Sequence, residues 1–272
     1  MLTFIPTPIG NLEDITLRAM RLFEKAELFL CEDTRETKHL LHLLHERFGM
    51  QKVDADFLSF HEHNGVQRIA EITNELKEKS VVYVSDAGMP AISDPGQLLV
   101  EYCQKEGIAY DVLPGANAAL TAYVASGFAS VDFNFFGFLP HKGKQRKEQL
   151  TEVLNATNPS ILYEAPHRLL KLLEELTVFA PEREIFLAKE LTKKFQTYFR
   201  TTSSEAFVRL KEETIKGEWV VIIEGKKDAP KALYAEDVVD LDIAPKIKAK
   251  LLSKLSGKSV KECYEEIILK EK

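Results

Sequence analysis

Cysteine is scarce. The 272 residues include three, Cys31, Cys103 and Cys263, far apart and with no C-x-x-C pair. An odd count at such spacing excludes a disulfide framework and predicts a reduced, cytoplasmic setting. Long apolar runs are missing too, the longest being about half of the ~18 residues that a membrane helix needs, so no membrane partner is expected. The opening Met1-Leu2-Thr3-Phe4-Ile5-Pro6 has no basic n-region, and no signal peptide is expected. Positive charge is not in excess: the formal net charge is −6 and the pI about 5.8. That excludes a general nucleic-acid coat protein, though not an enzyme that meets RNA through a local basic patch. Neither G-x-x-x-x-G-K nor G-x-G-x-x-G occurs, which leaves nucleotide-phosphate loops weakly supported.

What is present is an ordinary globular composition, 45% hydrophobic and 29% charged, at a length that admits two domains. Three loops stand out. Ser85–Gly96 reads S-D-A-G-M-P-A-I-S-D-P-G and follows the apolar run Val81–Val84. Gly and Pro set special backbone angles there, and Gly lets the main chain approach a ligand. Pro6–Thr16 and Leu113–Asn117 have the same character. Loops at the carboxyl ends of parallel strands are where open α/β sheets bind small molecules.

Strand-like and helix-like runs alternate along the first half. Strands are expected at 2–6, 28–31, 57–60, 81–85 and 110–113, with helices at 15–25, 34–45, 65–79 and 95–105 between them. This is the pattern of βαβ units and a mostly parallel sheet. Beyond Pro114-Gly115 the texture changes. A small-residue helix, 116–126, is followed by strands at 134–139, 160–164, 183–191, 195–200 and 219–224, and by helices at 145–154, 166–177 and 204–213. The third and fourth of these strands are close enough for a hairpin, giving a mixed second sheet. After a polar linker, 225–230, residues 243–272 read as two short helices with eight Lys against four Glu. The expected architecture is therefore α/β: a parallel-sheet domain (1–115), a mixed-sheet domain (116–228), and a linker with a basic helical extension (229–272).

Several motifs carry two readings. In Cys31-Glu32-Asp33-Thr34-Arg35 the acids either orient a polar substrate or, as Asp33 or Thr34, cap the next helix. His39, His42 and His45 lack acid or Cys partners at metal-ligand spacing, so no metal is expected, and His61-Glu62-His63-Asn64 reads as a polar loop. The densest basic patch, Lys142, Lys144, Arg146 and Lys147, follows the aromatic strand Phe133–Phe138 and either engages phosphates or is simply solvated. Tyr163–Arg168 and Lys189–Lys193 form structural ion pairs or line a cleft.

Taken in order, P-T-P-I-G-N-L-E-D-I-T, E-D-T-R, H-N, S-D-A-G-x-P-x-I-S-D-P-G, P-G, G-F-L-P, Y-E-x-P-H-R-L and E-L-T-K resemble the ribosomal RNA small-subunit methyltransferase I family of the tetrapyrrole methylase superfamily. The match spans Thr3 to Glu224, and the basic tail resembles the family's extension. The resemblance implies a tetrapyrrole-methylase-like fold and S-adenosylmethionine as methyl donor, bound between two α/β domains without a metal. It also implies 2′-O-methylation of a cytidine in the decoding region of 16S rRNA, on free rRNA or the small subunit, by a homodimer. Carried over, the donor meets Ala87, Gly88, Met89, Ile92, Asn117, Ala118 and Ala119 and positions near Tyr163, Glu164 and Leu191, with Pro8 at the border. Met89 departs from the family's usual Thr. Gly65 and Gln196 stand where an acid is frequent. A ribose hydroxyl needs its proton accepted, and Asp33, Glu32, Glu164 and Glu190 are the candidate bases. Arg35, Lys189 and Lys193, with the 142–146 patch, are the expected phosphate ligands. The same fold also admits a tetrapyrrole or other small-molecule acceptor, or a non-catalytic ribosome-binding relative.

Overall fold

Side chains alternating with period two build both faces of the first sheet. The computed structural model describes residues 1–61, 63–227 and 234–270. Glu62 and residues 228–230 of the expected linker lie outside them. Strands β1 (Leu2–Phe4), β2 (Leu28–Cys31), β3 (Asp56–Ser59), β4 (Val81–Val84) and β5 (Tyr110–Val112) run parallel in the order β3-β2-β4-β1-β5. Leu2, Phe4, Leu28, Leu30, Val81 and Tyr83 face α3 (Gly65–Glu71), α4 (Thr73–Glu78) and α5 (Gly96–Glu106). The intervening Phe29, Cys31, Val82 and Val84 face α1 (Leu17–Phe23) and α2 (Thr34–Phe48). Both faces are covered, as a parallel sheet requires. The chain leaves β1 through α1 on one face and leaves β4 through α5 on the other. The crevice at the carboxyl ends of these neighbouring strands is therefore the topological switch point.

The helix expected over 65–79 is instead two helices. Ile72 sits at φ −105°, ψ 12° between them, and the Thr73 hydroxyl donates back to the Ile69 carbonyl at 3.0 Å. A β-branched pair with a back-bonding hydroxyl disfavours continuous helix.

The second sheet has the order β6-β7-β10-β8-β9, from β6 (Asn134–Phe138), β7 (Ser160–Glu164), β8 (Glu184–Lys189), β9 (Thr197–Thr202) and β10 (Trp219–Ile223). Only β6 and β7 pair in parallel, and β8 and β9 form the expected hairpin. β10 lies at the centre, and its run Trp-Val-Val-Ile-Ile is buried on both faces. Leu162, Leu187, Val221 and Ile223 pack on α7 (Gly143–Asn155), α8 (Pro166–Phe179) and α9 (Ser203–Leu210), chiefly through Leu150, Leu169, Leu173 and Leu176. Ile161, Phe186, Val220 and Ile222 pack on Ala119 and Ala122 of α6 (Ala118–Ser126).

Residues 1–226 form one compact unit holding both sheets. The described residues from Lys227 onward form a second: α10 (Ala235–Val239), α11 (Pro245–Ser256) and α12 (Val260–Lys270), with Ala249, Cys263 and Ile267 in its core. The two helices expected there are preceded by α10, a five-residue helix too short to show periodicity in the sequence; the Asp237 carboxylate accepts from the Tyr234 amide at 2.7 Å. No helix among the described residues is long and apolar enough to cross a membrane.

Leu173 is fully buried between α8 and the second sheet. Leu173→Ala is expected to destabilise the protein by about 2–5 kcal/mol, read as a lower urea midpoint.

Candidate functional site

The switch-point crevice is closed by backbone. Thr7 and Gly88 exchange two N–H···O bonds of 3.0 Å, tying the loop after β1 to the loop after β4. Gly88 has φ 83°, and a Cβ there would sit 3.2 Å from Ile9 Cγ2, so glycine serves both angle and space. Asp94 organises the rest of the second loop. Its carboxylate accepts from the Tyr83 hydroxyl (2.5 Å), the Ala91 amide (2.8 Å) and the Gly96 amide (2.9 Å), while Ala91 is held at φ 66°.

The second sheet answers with a strained turn. Glu190 (φ 50°) and Thr192 (φ 63°) flank Leu191. Non-glycine residues persist in that region only where neighbours hold them. Here Asn11 N donates to Thr192 Oγ1 at 3.1 Å. Glu190 Oε1 accepts from the Glu218 amide (2.9 Å) and Lys193 Nζ (3.0 Å).

Between these elements lies a cavity of about 480 Å³, within the range of small-molecule sites. Ala87, Gly88, Met89 and Ile92 line it from the β4 loop, Asn117 and Ala118 from the start of α6, and Tyr163 and Leu191 from the second sheet. Asn117 caps α6, accepting from the Leu120 amide at 3.0 Å. Among the expected ligand contacts, Pro8 and Ala119 fall outside the lining, where Ile9 and Ala118 stand instead. Ala119 is buried, packed in the cluster under α6.

Carboxylates give the wall its chemistry. Glu32 lines the cavity, and burial lifts its carboxyl above the usual value; the Asp86 amide, donating to Oε2 at 3.3 Å, pulls back and the Asp86 charge adds to the rise. Asp86 is lifted chiefly by burial too. Glu164 is 2% exposed. Burial lifts it, opposed by the Ala165 amide and by Arg168, whose Nε lies 3.0 Å from Oε1. Ser85 and Glu164 both line the cavity, and Glu164 Oε2 and Ser85 Oγ are buried with no hydrogen-bond partner.

Other expected site residues do not gather there. Asp33, the first candidate base, caps α2, accepting from the Arg35 amide at 2.8 Å. The Arg35 guanidinium, together with that amide, holds it down at about 2, so it is a poor base. Glu190 lies outside the lining: burial raises its carboxyl, but the Glu218 amide and Lys193 outweigh that and leave it below the usual range. Among the expected phosphate ligands, Arg146 is a correction. It is 3% exposed, its guanidinium bonded to Glu175 and the Pro140 carbonyl, because it sits on the inward stripe of α7 with Leu150 and Val153. Lys193 is engaged by Glu190 and Glu218, Lys189 lies over the Trp219 ring, and Arg35 is exposed but paired with Asp33. Lys142 and Lys144 stay exposed, Lys144 with Glu148 at 3.5 Å.

Sequence reasoning missed Ser85, Asp86, Phe138, Glu218 and Trp219, all in the lining. Ser85 and Asp86 lay within the segment singled out. Phe138 and Trp219 belong to strands whose register alone brings them to the cavity.

Residues 1–206 match the family model for tetrapyrrole (corrin/porphyrin) methylases. A Helicobacter pylori protein named ribosomal RNA small subunit methyltransferase I is 44% identical over 285 aligned positions, covering 100% of this chain and 99% of that one. The chain belongs to the ribosomal RNA small subunit methyltransferase I family. Its fold is shared more widely. The diphthine synthase crystal structure aligns with TM-score 0.62 at 13% identity, covering 83% of this chain and 90% of that one. The Thermus thermophilus uroporphyrin-III C-methyltransferase complexed with S-adenyl homocysteine aligns with TM-score 0.56 at 14% identity, covering 81% and 96%. Membership in the methyltransferase I family agrees with the resemblance read from the eight motifs, and the tetrapyrrole-methylase fold with the expected α/β class.

Asp94→Ala removes the acceptor of three hydrogen bonds. It is expected to destabilise the protein by about 1–3 kcal/mol and to speed hydrogen exchange at the Ala91 and Gly96 amides, read by calorimetry and mass spectrometry.

Proposed function

We propose that this protein methylates the ribose 2′-oxygen of a cytidine in the decoding region of 16S rRNA, with S-adenosylmethionine as donor, in the cytoplasm and as a homodimer. The observation that carries the reading is end-to-end similarity to a protein named for small-subunit rRNA methylation, in a chain whose cavity lining suits such a donor. Ser85 and Glu164, both in the lining, each carry a buried side-chain oxygen that has no protein hydrogen-bond partner. Apolar Ile9, Met89, Ile92 and Leu191 suit the purine and the methylene groups of such a donor. Ala87, Gly88, Asn117, Tyr163 and Glu164 would hold the donor. When bound, it supplies an electrophilic methyl group on a sulfonium.

The protein's own work is alignment and proton acceptance. Glu32 suits the base: it lines the cavity, its affinity for a proton is raised by burial, and an amide steadies it. Glu164, braced by Arg168, suits a ligand's hydrogen-bond donor. Lys142, Lys144 and Lys147 are exposed at the start of α7, and Lys246, Lys250 and Lys254 are exposed along α11. These favour a polyanionic acceptor over a small ring system. The homodimer draws support from α6, which has no charged residue and leaves Leu120 and Val124 exposed.

The test is methyl transfer from labelled S-adenosylmethionine to small subunits from cells lacking the matching gene, with the product mapped. Label on one cytidine ribose is expected. Donor binding without label on subunits would point to a small-molecule acceptor instead. A second expectation concerns pH. Glu32 accepts a proton only when ionised, so the rate rises with pH through its raised pKa and is lost below it. Glu32→Gln removes that acid limb and lowers kcat by about 10²–10⁴-fold, whereas Asp33→Asn keeps it.

A further inference from the structure

A fault in the pairing of β6 puts an aromatic ring at the mouth of the cavity. β6 is an edge strand, bonded only to β7. Its register runs Asn134↔Ser160 and Phe135↔Ile161, then skips Phe136 and resumes at Gly137↔Leu162 and Phe138↔Tyr163. Gly137 takes φ 60° at the shift. In a regular strand, residues three apart point to opposite faces. The extra residue cancels that, and Phe135 and Phe138 both meet the Tyr163 ring, with centroids at 5.2 and 5.5 Å and interplanar angles of 72° and 62°. Phe135 packs with the buried cluster under α6, and Phe136 turns to the opposite core. Phe138 lines the cavity while 53% exposed. Bulges beside functional sites commonly re-aim one side chain.

The ring is also anchored from behind. Arg168 donates to the carbonyl of Leu139, the next residue, and its Nε lies 3.0 Å from Glu164. Phe138 thus stands on a fixed backbone, edge-on to Tyr163, with an outer face left bare. Four residues on comes exposed Lys142, then Lys144. An exposed aromatic followed a few residues on by exposed cationic side chains suits an unpaired nucleotide, the ring under the base and the cations on the backbone.

We propose that Phe138 is the stacking platform for the base of the target nucleotide. The proposal rests on the RNA reading above and deepens it: a nucleotide whose 2′-oxygen enters the cavity leaves its stacked neighbours, and the Phe138 ring takes their place against the base. The acceptor is then a single unstacked nucleotide, not a continuous helix.

The experiment compares wild type, Phe138→Ala and Phe138→Trp for methyl transfer to small subunits and for S-adenosylhomocysteine binding by calorimetry. The expected result is a loss of about 5- to 150-fold in kcat/KM for Phe138→Ala, through a higher KM for subunits. Phe138→Trp should recover to within a few-fold, and the affinity for S-adenosylhomocysteine should stay within about twofold throughout. Unchanged kcat/KM in Phe138→Ala overturns the proposal. So does a loss of S-adenosylhomocysteine affinity that accounts for the fall, since the ring then serves the donor. If wild type labels no RNA, the functional reading itself fails, and the platform with it.

Discussion

The site depends on one topological constraint: β1 and β4 are neighbours whose following helices cover opposite faces of the sheet. Neither helix can then roof the crevice at their carboxyl ends, and the two loops leaving it must satisfy their own backbone groups. The Thr7–Gly88 exchange does so at the cost of admitting only a glycine at position 88. Asp94 completes the arrangement by accepting two loop amides and the hydroxyl of buried Tyr83. A loop of small residues thereby becomes a rigid wall. The second sheet meets it with the Glu190–Thr192 turn, whose backbone strain is held by Asn11, Lys193 and the Glu218 amide. Rigidity on both sides is what positional catalysis requires.

Adjacent acids show how local geometry divides roles. Glu32 and Asp33 follow the same buried strand. Asp33 takes the extended backbone of an N-cap and directs its carboxylate to the first turn of α2 and to Arg35, which favours its charged form. Glu32 lies at the cavity wall, where burial disfavours charge. The two carboxyls are driven in opposite directions, and such separation is how neighbouring acids acquire distinct tasks.

Much of this was legible in advance, because the period of hydrophobic residues is a local property. β2 and β7 fall at the expected bounds, and the alternation of Val81–Val84 with flanking helices announces a parallel sheet. The small-residue loop at Ser85–Gly96 marked the cavity for the same reason. What escaped depends on pairing between distant segments. Arg146 looks solvated within a run of basic residues, and only its place on the inward stripe of α7, opposite Glu175, buries it. Lys193 has Glu190 within reach along the chain, but its second partner, Glu218, arrives from twenty-five residues away. Phe138 reads as one more apolar residue of a strand, since the skipped Phe136 is visible only against β7.

That last feature bears on how one fold serves different acceptors. Proteins named for uroporphyrin III and for diphthine share this architecture at 14% and 13% identity, and a fold alone does not fix the acceptor. The centre of the parallel sheet offers little room for variation, because β1, β2 and β4 are buried on both faces and the loops after β1 and β4 bond to one another. An edge strand is freer: one of its sides carries no ladder, and a one-residue bulge there disturbs a single partner. β6 is such a strand, it borders the cavity, and it presents Phe138. A change along β6 and the basic segment after it would therefore alter what meets the cavity while leaving the bonds of the β1/β4 crevice in place.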